Sequence, residues 1–192
     1  MAVYKISPST LEGFRYFIEQ DYGTLEEMII KVKGEQKWTN LMSFGSAFQA
    51  VIEHGHEKYF NRSTGKYHIK EDMPDEVIVT KSDIIEAIKF REKHPKLIQE
   101  CPCRFSLQVG ADTVELSMRV DGLEGLVIHE NKTTPKSESS GKNSLFEKYH
   151  KSVQWRCYLL SIGARLIQYN VFTYTEKDGK YNVQPIVFQY FP

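Results

Sequence analysis

The sequence contains little cysteine, no long hydrophobic run and no excess of charge of either sign. Its three cysteines, Cys101, Cys103 and Cys157, are an odd number, and the CPC pair lacks the CxxC spacing of zinc and iron–sulfur sites. We therefore expect reduced thiols, as is usual in the cytoplasm, and no disulfide framework. No apolar run approaches the roughly 18 residues of a membrane-spanning helix. The N-terminal segment MAVYKISPST does not resemble a signal peptide, so we expect a cytoplasmic protein without a membrane partner.

The formal net charge is zero, from 25 basic and 25 acidic side chains. No overall field therefore attracts the chain to a polyanion, and any contact with nucleic acid must come from a local basic patch. The length of 192 residues and the ordinary fractions of charged (26%) and hydrophobic (41%) residues predict one globular domain spanning residues 1–192.

Residues 7–95 are predicted to be mainly helical. Ser7 is placed to cap a first helix that starts at Pro8. Thr24 and Glu27 have the spacing of a capping box at the start of a second helix, which Gly34 would end. A third helix lies within NLMSFGSAFQAVIEHGHEKYF and a fourth within KSDIIEAIKFREKHP. Between them, NRSTGKYHIKEDMPD is predicted to be a polar connector and EVIVT a short strand.

Residues 103–192 are predicted to form a sheet with one long helix. RFSLQV, TVELSMRV and LVIHENK have the pattern of three antiparallel strands. The long helix is SLFEKYHKSVQWRCYLLSIGA. RLIQYNVFTYT and KYNVQPIVFQYF then form a hairpin, with its turn at Asp178-Gly179. This order of elements predicts an α/β domain with a mixed central β-sheet flanked by helices.

The segment RVDGLEGLVIHENK carries the strongest chemical signal. Glu130 and Lys132 are two residues apart on a strand and so share a face, where an ordinary surface ion pair contributes at most about 1 kcal/mol. Asp121 adds a second acid on the preceding strand. Two neighbouring carboxylates repel each other, so one is protonated or a cation lies between them. Oxygen ligands suit Mg²⁺ or Mn²⁺, and a nearby lysine can polarise water, which is the set of groups needed for metal-assisted phosphodiester hydrolysis.

The spacing of the two acids sets a geometric condition. A regular hairpin turning at Leu123-Glu124 would separate Asp121 from Glu130 by ~13 Å, which one metal ion cannot bridge. We therefore expect a strong twist, or a bulge at Gly122 and Gly125.

These residues resemble the PD-(D/E)XK nuclease superfamily. Four further segments resemble its RecB-like and phage-type exonuclease branch: SPSTLEGF, FGSAFQAVIEHG, ENKTT and QWRCY. The resemblance covers residues 6 to about 163 and implies a restriction-endonuclease-like core. It also implies a Mg²⁺- or Mn²⁺-dependent DNA exonuclease serving phage or prophage recombination, repair or replication, in a bacterial or phage-infected cell. A structure-selective endonuclease and a catalytically degenerate DNA- or protein-binding module on the same fold are the alternatives.

The resemblance also implies roles for individual residues. Asp121 and Glu130 correspond to the metal-binding acids, the backbone carbonyl of Asn131 to a third ligand and Lys132 to the catalytic lysine. In the QxxxY motif, Gln154 and Tyr158 correspond to a pair that faces the active site.

The third helix departs from the family pattern. Gln49 stands where relatives often have a histidine ligand, so its amide oxygen is the expected metal ligand, with Glu53 as the alternative. We expect the third helix and the long helix to pack against one edge of the sheet, so that Gln49, Gln154 and Tyr158 all face the acids.

DNA contacts are expected close to the acids. The candidates are Ser9, Arg15, Thr133, Lys136 and Lys151. The loop TTPKSESSGKNS is interpreted as either a clamp on a DNA strand or a solvated linker. DNA is the expected partner, and a phage recombination or replication protein is the expected protein partner.

Overall fold

A computed structural model describes residues 3–20, 24–33, 35, 37–136 and 141–192. In chain order its elements are β1 (Val3–Ile6), α1 (Pro8–Gln20), α2 (Leu25–Lys33), α3 (Asn40–His54), a short 3₁₀ helix (His56–Tyr59), β2 (Phe60–Asn61), β3 (Lys66–Ile69), β4 (Val77–Val79), α4 (Ile85–Lys93), β5 (Ile98–Val109), β6 (Asp112–Glu124), β7 (Val127–Pro135), α5 (Lys142–Lys151), α6 (Gln154–Ile162), β8 (Leu166–Lys177) and β9 (Lys180–Tyr190).

The central sheet has six strands in the order β1-β6-β7-β8-β9, with β5 also paired to β6. The pairs β1–β6 and β7–β8 are parallel and the remaining pairs are antiparallel, so the sheet is mixed. Residues of α3 and α4 pack on one face and residues of α5 and α6 on the other. The predicted α/β class, with a mixed central sheet flanked by helices, is confirmed. Within the described ranges, no helix combines the length and the apolar character needed to cross a membrane.

Strand β8 explains why two cores form. Because successive side chains of a strand point to opposite faces, Val171 lies in the core under α5 and α6, whereas Phe172 lies in the core under α3 and α4. Both side chains are almost fully buried, at 0% and 2% exposed. β8 is thus buried on both faces, and its parallel neighbour β7 is held at the centre of the sheet.

The predicted helix starts are confirmed. The backbone N–H of Thr10 donates to Oγ of Ser7 at 3.1 Å, which caps α1. At α2, the N–H of Thr24 donates to the Glu27 carboxylate at 2.8 Å and the N–H of Glu27 donates back to Thr24 at 3.2 Å, forming a capping box. The predicted stop at Gly34 lies outside the described residues.

Two parts of the N-terminal half differ from the sequence-based expectation. The supposed polar connector contains the β2–β3 hairpin, in which Tyr67 and Ile69 are buried beneath α3 and α4. Strand β3 has only these two buried apolar side chains, so its alternating pattern is too short to predict a strand. Strand β1 was also missed, because its stability depends on parallel pairing with β6, more than 100 residues away.

The predicted long helix is broken into α5 and α6 at Ser152. Oε2 of Glu12, on α1, accepts a hydrogen bond from the backbone N–H of Val153 at 2.8 Å and another from Oγ of Ser152 at 3.2 Å. The other Glu12 oxygen accepts from Arg15 at 2.5 Å. A side chain from α1 therefore satisfies a free N–H at the start of α6, where negative charge is also favourable. This contact fixes where α6 begins.

The β6–β7 hairpin turns at Gly125-Leu126 and not at Leu123-Glu124, the regular turn for which a strong twist or a bulge would have been needed. Gly125 has φ +61°, as required at the first central position of a type II′ turn. The strands pair at Glu124–Val127, Leu123–Ile128 and Gly122–His129. Continuing this register places Asp121 directly opposite Glu130, without the ~13 Å offset that a turn at Leu123-Glu124 would impose.

Gly122 permits close packing rather than forming a bulge. A Cβ added there would lie 2.7 Å from Leu97, closer than real Cβ contacts. Beyond this residue the ladder between the fully described strands β6 and β7 ends, while β6 stays paired with β5, and β7 with β8, on their other edges. A gap therefore opens between β6 and β7 at the level of Asp121 and Glu130.

Candidate active site

The gap between β6 and β7 brings together two acids and a lysine. Nζ of Lys132 donates to Oε1 of Glu130 at 2.6 Å. Oδ2 of Asp121 accepts from the backbone N–H of Asn131 at 2.7 Å, so the Asp121 side chain occupies the place of a ladder hydrogen bond. Glu130 is 1% exposed, whereas the Lys132 side chain is 32% exposed. Glu130 is thus buried, Asp121 is half-buried and the lysine has access to solvent.

The site holds more negative charge than its lysine balances. Burial raises the pKa of Glu130 to about 7; the Lys132 ammonium opposes this rise and the Asp121 carboxylate adds to it. Burial also raises the pKa of Asp121, against the influence of Lys132 and the Asn131 N–H. Desolvation disfavours charge on Lys132, but the two carboxylates outweigh it and raise its pKa above the ordinary value. Another cation would therefore stabilise the ionised acids.

One oxygen of this site is free to bind such a cation. Oε2 of Glu130 is buried and has no hydrogen-bond partner among the described residues, which is costly for a carboxylate. With the Asp121 carboxylate it offers the oxygen ligands that Mg²⁺ and Mn²⁺ prefer. The residues present therefore fit a divalent ion. The carbonyl of Asn131 stays a predicted ligand.

Helix α6 delivers its first residue to the acid. Nε2 of Gln154 donates to Oε1 of Glu130 at 2.8 Å and to the Tyr158 hydroxyl at 2.7 Å. The two residues are one helical turn apart and so share a face of α6. Burial, followed by the Glu130 carboxylate, raises the pKa of Tyr158, which keeps its phenol protonated at neutral pH. This pair can hold the orientation of Glu130.

Helix α3 approaches the acids from the other face of the sheet. Gln49 and Glu53 hydrogen-bond each other at 2.7 Å and line a cavity of about 310 Å³ that also includes Asp121, Lys132 and Thr133. Burial raises the pKa of Glu53, and the hydrogen bond from Gln49 partly offsets this rise. The bond uses the amide nitrogen of Gln49 and leaves its oxygen as the atom suited to a metal, so Gln49 and Glu53 both stay predicted ligands.

The acids lie between two cavities rather than in a single pocket. The second cavity, of about 510 Å³, is lined by Ser9, Glu130, Gln154 and Tyr158, together with residues of the first. The expectation that α3 and α6 pack against one sheet edge was therefore wrong. They lie on opposite faces, and both reach the acids because the gap between β6 and β7 is open on each side.

Arg119 was missed by the sequence analysis. It lies two residues before Asp121 and lines both cavities, and its side chain is 66% exposed although it contacts Glu100 at 3.1 Å. A basic residue two positions before a metal-binding acid was the available signal. Its exposure and place suit contact with a phosphate.

The expected DNA-contacting residues are only partly gathered around the acids. Ser9 and Thr133 each line one of the two cavities, whereas Arg15, Lys136 and Lys151 line neither. The guanidinium of Arg15 is held between Glu12 and Glu19 at 2.5 and 2.6 Å, which occupies its charge. Lys136 and Lys151 are exposed, after β7 and at the end of α5. Residues 137–140 of the predicted clamp lie outside the described residues.

A second set of ligand-type side chains lies at the closed end of the β6–β7 hairpin. Ligand atoms of His94, Glu124 and His129 are all within 4.8 Å of one another, a grouping able to hold a metal ion. Burial, followed by the neighbouring His94, lowers the pKa of His129 to about 4, so this imidazole is neutral at pH 7.

The sequence matches no protein-family model and no curated protein. Three solved structures are similar to the chain. The protein SSO0001 has a TM-score of 0.50 and 13% identity, over 98% of this chain and 67% of that one. A "putative exonuclease" from Eubacterium rectale has a TM-score of 0.47 and 12% identity, over 96% and 72%. Candida albicans Rai1, in complex with pU5-Mn2+, has a TM-score of 0.31 and 14% identity, over 94% and 40%. Similarity to SSO0001 at this identity shows a common fold and nothing about activity.

Proposed function

We propose that the protein is a Mg²⁺- or Mn²⁺-dependent nuclease that hydrolyses phosphodiester bonds in DNA as an exonuclease. The observation that carries the proposal is the buried carboxylate of Glu130, which lies beside the half-buried Asp121 and a single lysine. Lys132 balances one negative charge, and Oε2 of Glu130 has no hydrogen-bond partner in the part of the chain that the structure describes. Two carboxylates beside a single lysine, one of them buried, lower the stability of the folded protein when no ion is bound. Such an arrangement is expected where a divalent ion binds.

Each residue of the site has a part in this proposal. Asp121 and Glu130 bind the ion, which when bound supplies Lewis acidity at the phosphate and lowers the pKa of a coordinated water. The ammonium of Lys132, which stays protonated, donates a hydrogen bond that positions the attacking water and offsets charge on the phosphorane. Gln154, which also donates to the Tyr158 hydroxyl, fixes Oε1 of Glu130, and the other oxygen of this carboxylate would help to hold the ion.

The two cavities suggest where the DNA strand lies. Arg119 borders both and is exposed, so its guanidinium can bind the phosphate next to the scissile bond. Ser9 on one side and Thr133 on the other can contact the flanking backbone, with Lys136 and Lys151 giving longer-range attraction. With zero net charge, this local patch must supply most of the affinity, and binding should weaken strongly as salt increases.

The similarity to the RecB-like and phage-type branch supports a role in phage or prophage recombination, repair or replication. A second candidate is a degenerate DNA- or protein-binding module, which the glutamine at position 49 favours because an amide binds Mn²⁺ less well than an imidazole. A structure-selective endonuclease on the same core is the third.

One experiment separates these candidates. Linear duplex and single-stranded DNA, labelled at either the 5′ or the 3′ end, and covalently closed circular DNA are incubated with Mg²⁺, Mn²⁺ or EDTA. An exonuclease releases mononucleotides from linear DNA only, and the label released first gives the polarity. Cleavage of circular DNA indicates the endonuclease, and binding without cleavage indicates the degenerate module.

The test variants and their control are isosteric substitutions on the same hairpin. Asp121→Asn and Glu130→Gln should abolish cleavage. Glu115→Gln is the control: Glu115 is on β6 but outside the site, 4.0 Å from Lys5, and this variant should cleave like wild type. Cleavage that persists in both acid variants would overturn the assignment of the site.

A further inference from the structure

The group formed by His94, Glu124 and His129 is separate from the proposed catalytic site. His94 follows the last turn of α4, Glu124 is the last residue of β6 and His129 is the third residue of β7. None of the three lines either cavity that borders the acids. Residues from three elements thus converge on one point at the closed end of the hairpin.

The distances in this group are close to those of ligands around an ion. Nδ1 of His94 lies 2.8 Å and Nε2 of His129 lies 3.8 Å from the same oxygen, Oε2 of Glu124. The first distance is that of a hydrogen bond, and the second is too long for one. Ligands of a tetrahedral zinc ion with bonds of about 2.0–2.1 Å are about 3.3 Å apart, a value between the two. Small side-chain movements would therefore complete the coordination.

We propose that His94, Glu124 and His129 form a Zn²⁺ site, with water as the fourth ligand. Two imidazoles and one carboxylate are a ligand set that zinc uses commonly, whereas Mg²⁺ prefers oxygen ligands alone. The two metal sites of this protein would thus differ in the ion that they select.

The surroundings of His129 support a ligand role. Its ring is 3% exposed, and its Nδ1 lies 3.4 Å from Nδ2 of Asn170. A metal-bound histidine usually has its other ring nitrogen fixed by a hydrogen bond, and Asn170 would supply it with its amide turned so that the oxygen accepts the N–H of Nδ1. Phe90 packs against the rings of both His94 and His129, at 4.7 and 6.0 Å, and limits their rotation. Glu124, with its side chain 33% exposed, leaves a route for the ion.

The ion would join α4 to the hairpin that carries both catalytic acids. Glu124 lies three residues after Asp121, and His129 immediately precedes Glu130. A bond network between these residues would hold the turn in place while the strands diverge beyond Gly122. Occupancy of the site would therefore affect the geometry of the acids without any contact with the substrate.

The experiment uses Co²⁺ as a spectroscopic substitute for Zn²⁺. The protein is titrated with Co²⁺ in the Glu130→Gln background, which weakens the other metal site, and the visible d–d absorption is recorded. We expect one equivalent of tetrahedral Co²⁺, displaced by one equivalent of Zn²⁺, and an increase of Tm on adding Zn²⁺ to the wild-type protein. Glu124→Gln and His94→Gln should each weaken binding by at least about tenfold.

The matched control is His68→Gln, which removes a histidine that lies 3.2 Å from Glu76 but has no third ligand beside it among the described residues. It should leave the Co²⁺ spectrum and affinity unchanged. No tetrahedral band, equal affinity in all three variants, or a thiolate charge-transfer band from Cys101 or Cys103 would each overturn the proposal. Each result is independent of whether the protein cleaves DNA.

Discussion

The backbone N–H of Asn131 donates to Oδ2 of Asp121 at 2.7 Å, which attaches the first acid to the strand that carries the second. The bond lies where the regular ladder between β6 and β7 has ended. A side chain therefore replaces a backbone partner, and the two acids keep a fixed relation although their strands diverge.

Glu130→Gln should raise the free energy of unfolding at neutral pH in metal-free buffer. Since burial raises the pKa of Glu130 to about 7 from its usual 4.5, the folded protein binds more protons than the unfolded chain between these values. The free energy of unfolding of the wild-type protein therefore falls as pH rises through this window, by at most about 1.4 kcal/mol per pH unit. The variant has no ionisable group at this position and does not lose this stability. Denaturant unfolding at about pH 5 and about pH 8, with EDTA, should show the advantage of the variant growing with pH. A difference that is constant with pH would contradict the burial of an ionisable acid.

Lys132→Ala should remove most cleavage and preserve Mn²⁺ binding. The acids, not the amine, bind the ion, and the loss of the ammonium removes a competing positive charge beside them. Calorimetric titration with Mn²⁺ gives the affinity, and single-turnover cleavage gives the rate. The control is Lys89→Ala, which removes an exposed lysine paired with Glu86 on α4. A folded Lys132→Ala protein that no longer binds Mn²⁺ would be incompatible with the proposed role.

Gly45→Ala should destabilise the protein by about 1–3 kcal/mol and disturb the cavity of Gln49 and Glu53. A Cβ at position 45 would lie 2.5 Å from Oγ1 of Thr133, so the Thr133 side chain or α3 itself must shift. Thr133→Ala removes that oxygen and should restore most of the lost stability in the double variant. Urea unfolding of the four proteins of this mutant cycle measures the coupling. Additive effects would show that α3 does not rest on Thr133.

Local signals were sufficient for much of this structure. The caps at Ser7 and Thr24 and the turn at Asp178-Gly179 were predicted because each depends on residues adjacent in sequence. The position of the β6–β7 turn could not be derived from the sequence, because Gly122 and Gly125 carry the same signal. Only the packing of Leu97 on the first and the positive φ of the second distinguish them.

The same distinction holds for the candidate site: residues close together in sequence were predicted, and residues brought together from distant elements were not. Asp121, Glu130 and Lys132 were identified from spacing within one hairpin, and the gap that holds them lies where the β6–β7 ladder ends after Gly122 and His129. Arg119 and the group around His129 were not identified, because their neighbours come from distant elements. His94, for example, is 30 residues from Glu124.

Glu12→Ala should destabilise the start of α6 and lower activity, although Glu12 touches neither acid. Its carboxylate accepts from the N–H of Val153 and from Ser152, and loss of such a cap costs about 1–2 kcal/mol. Since Gln154 is the next residue, the amide that fixes Glu130 should lose its position.

Hydrogen exchange at the Val153 amide, together with the cleavage rate, measures both effects of Glu12→Ala. The control is Glu19→Ala, which removes the other partner of Arg15 but makes no contact with α6 among the described residues. Because Glu19 is on the exposed side of α1, its loss should change exchange at Val153 and the cleavage rate very little. If Glu19→Ala lowers the cleavage rate as much as Glu12→Ala does, the effect comes from the charge on Arg15 and the capping contact is not responsible.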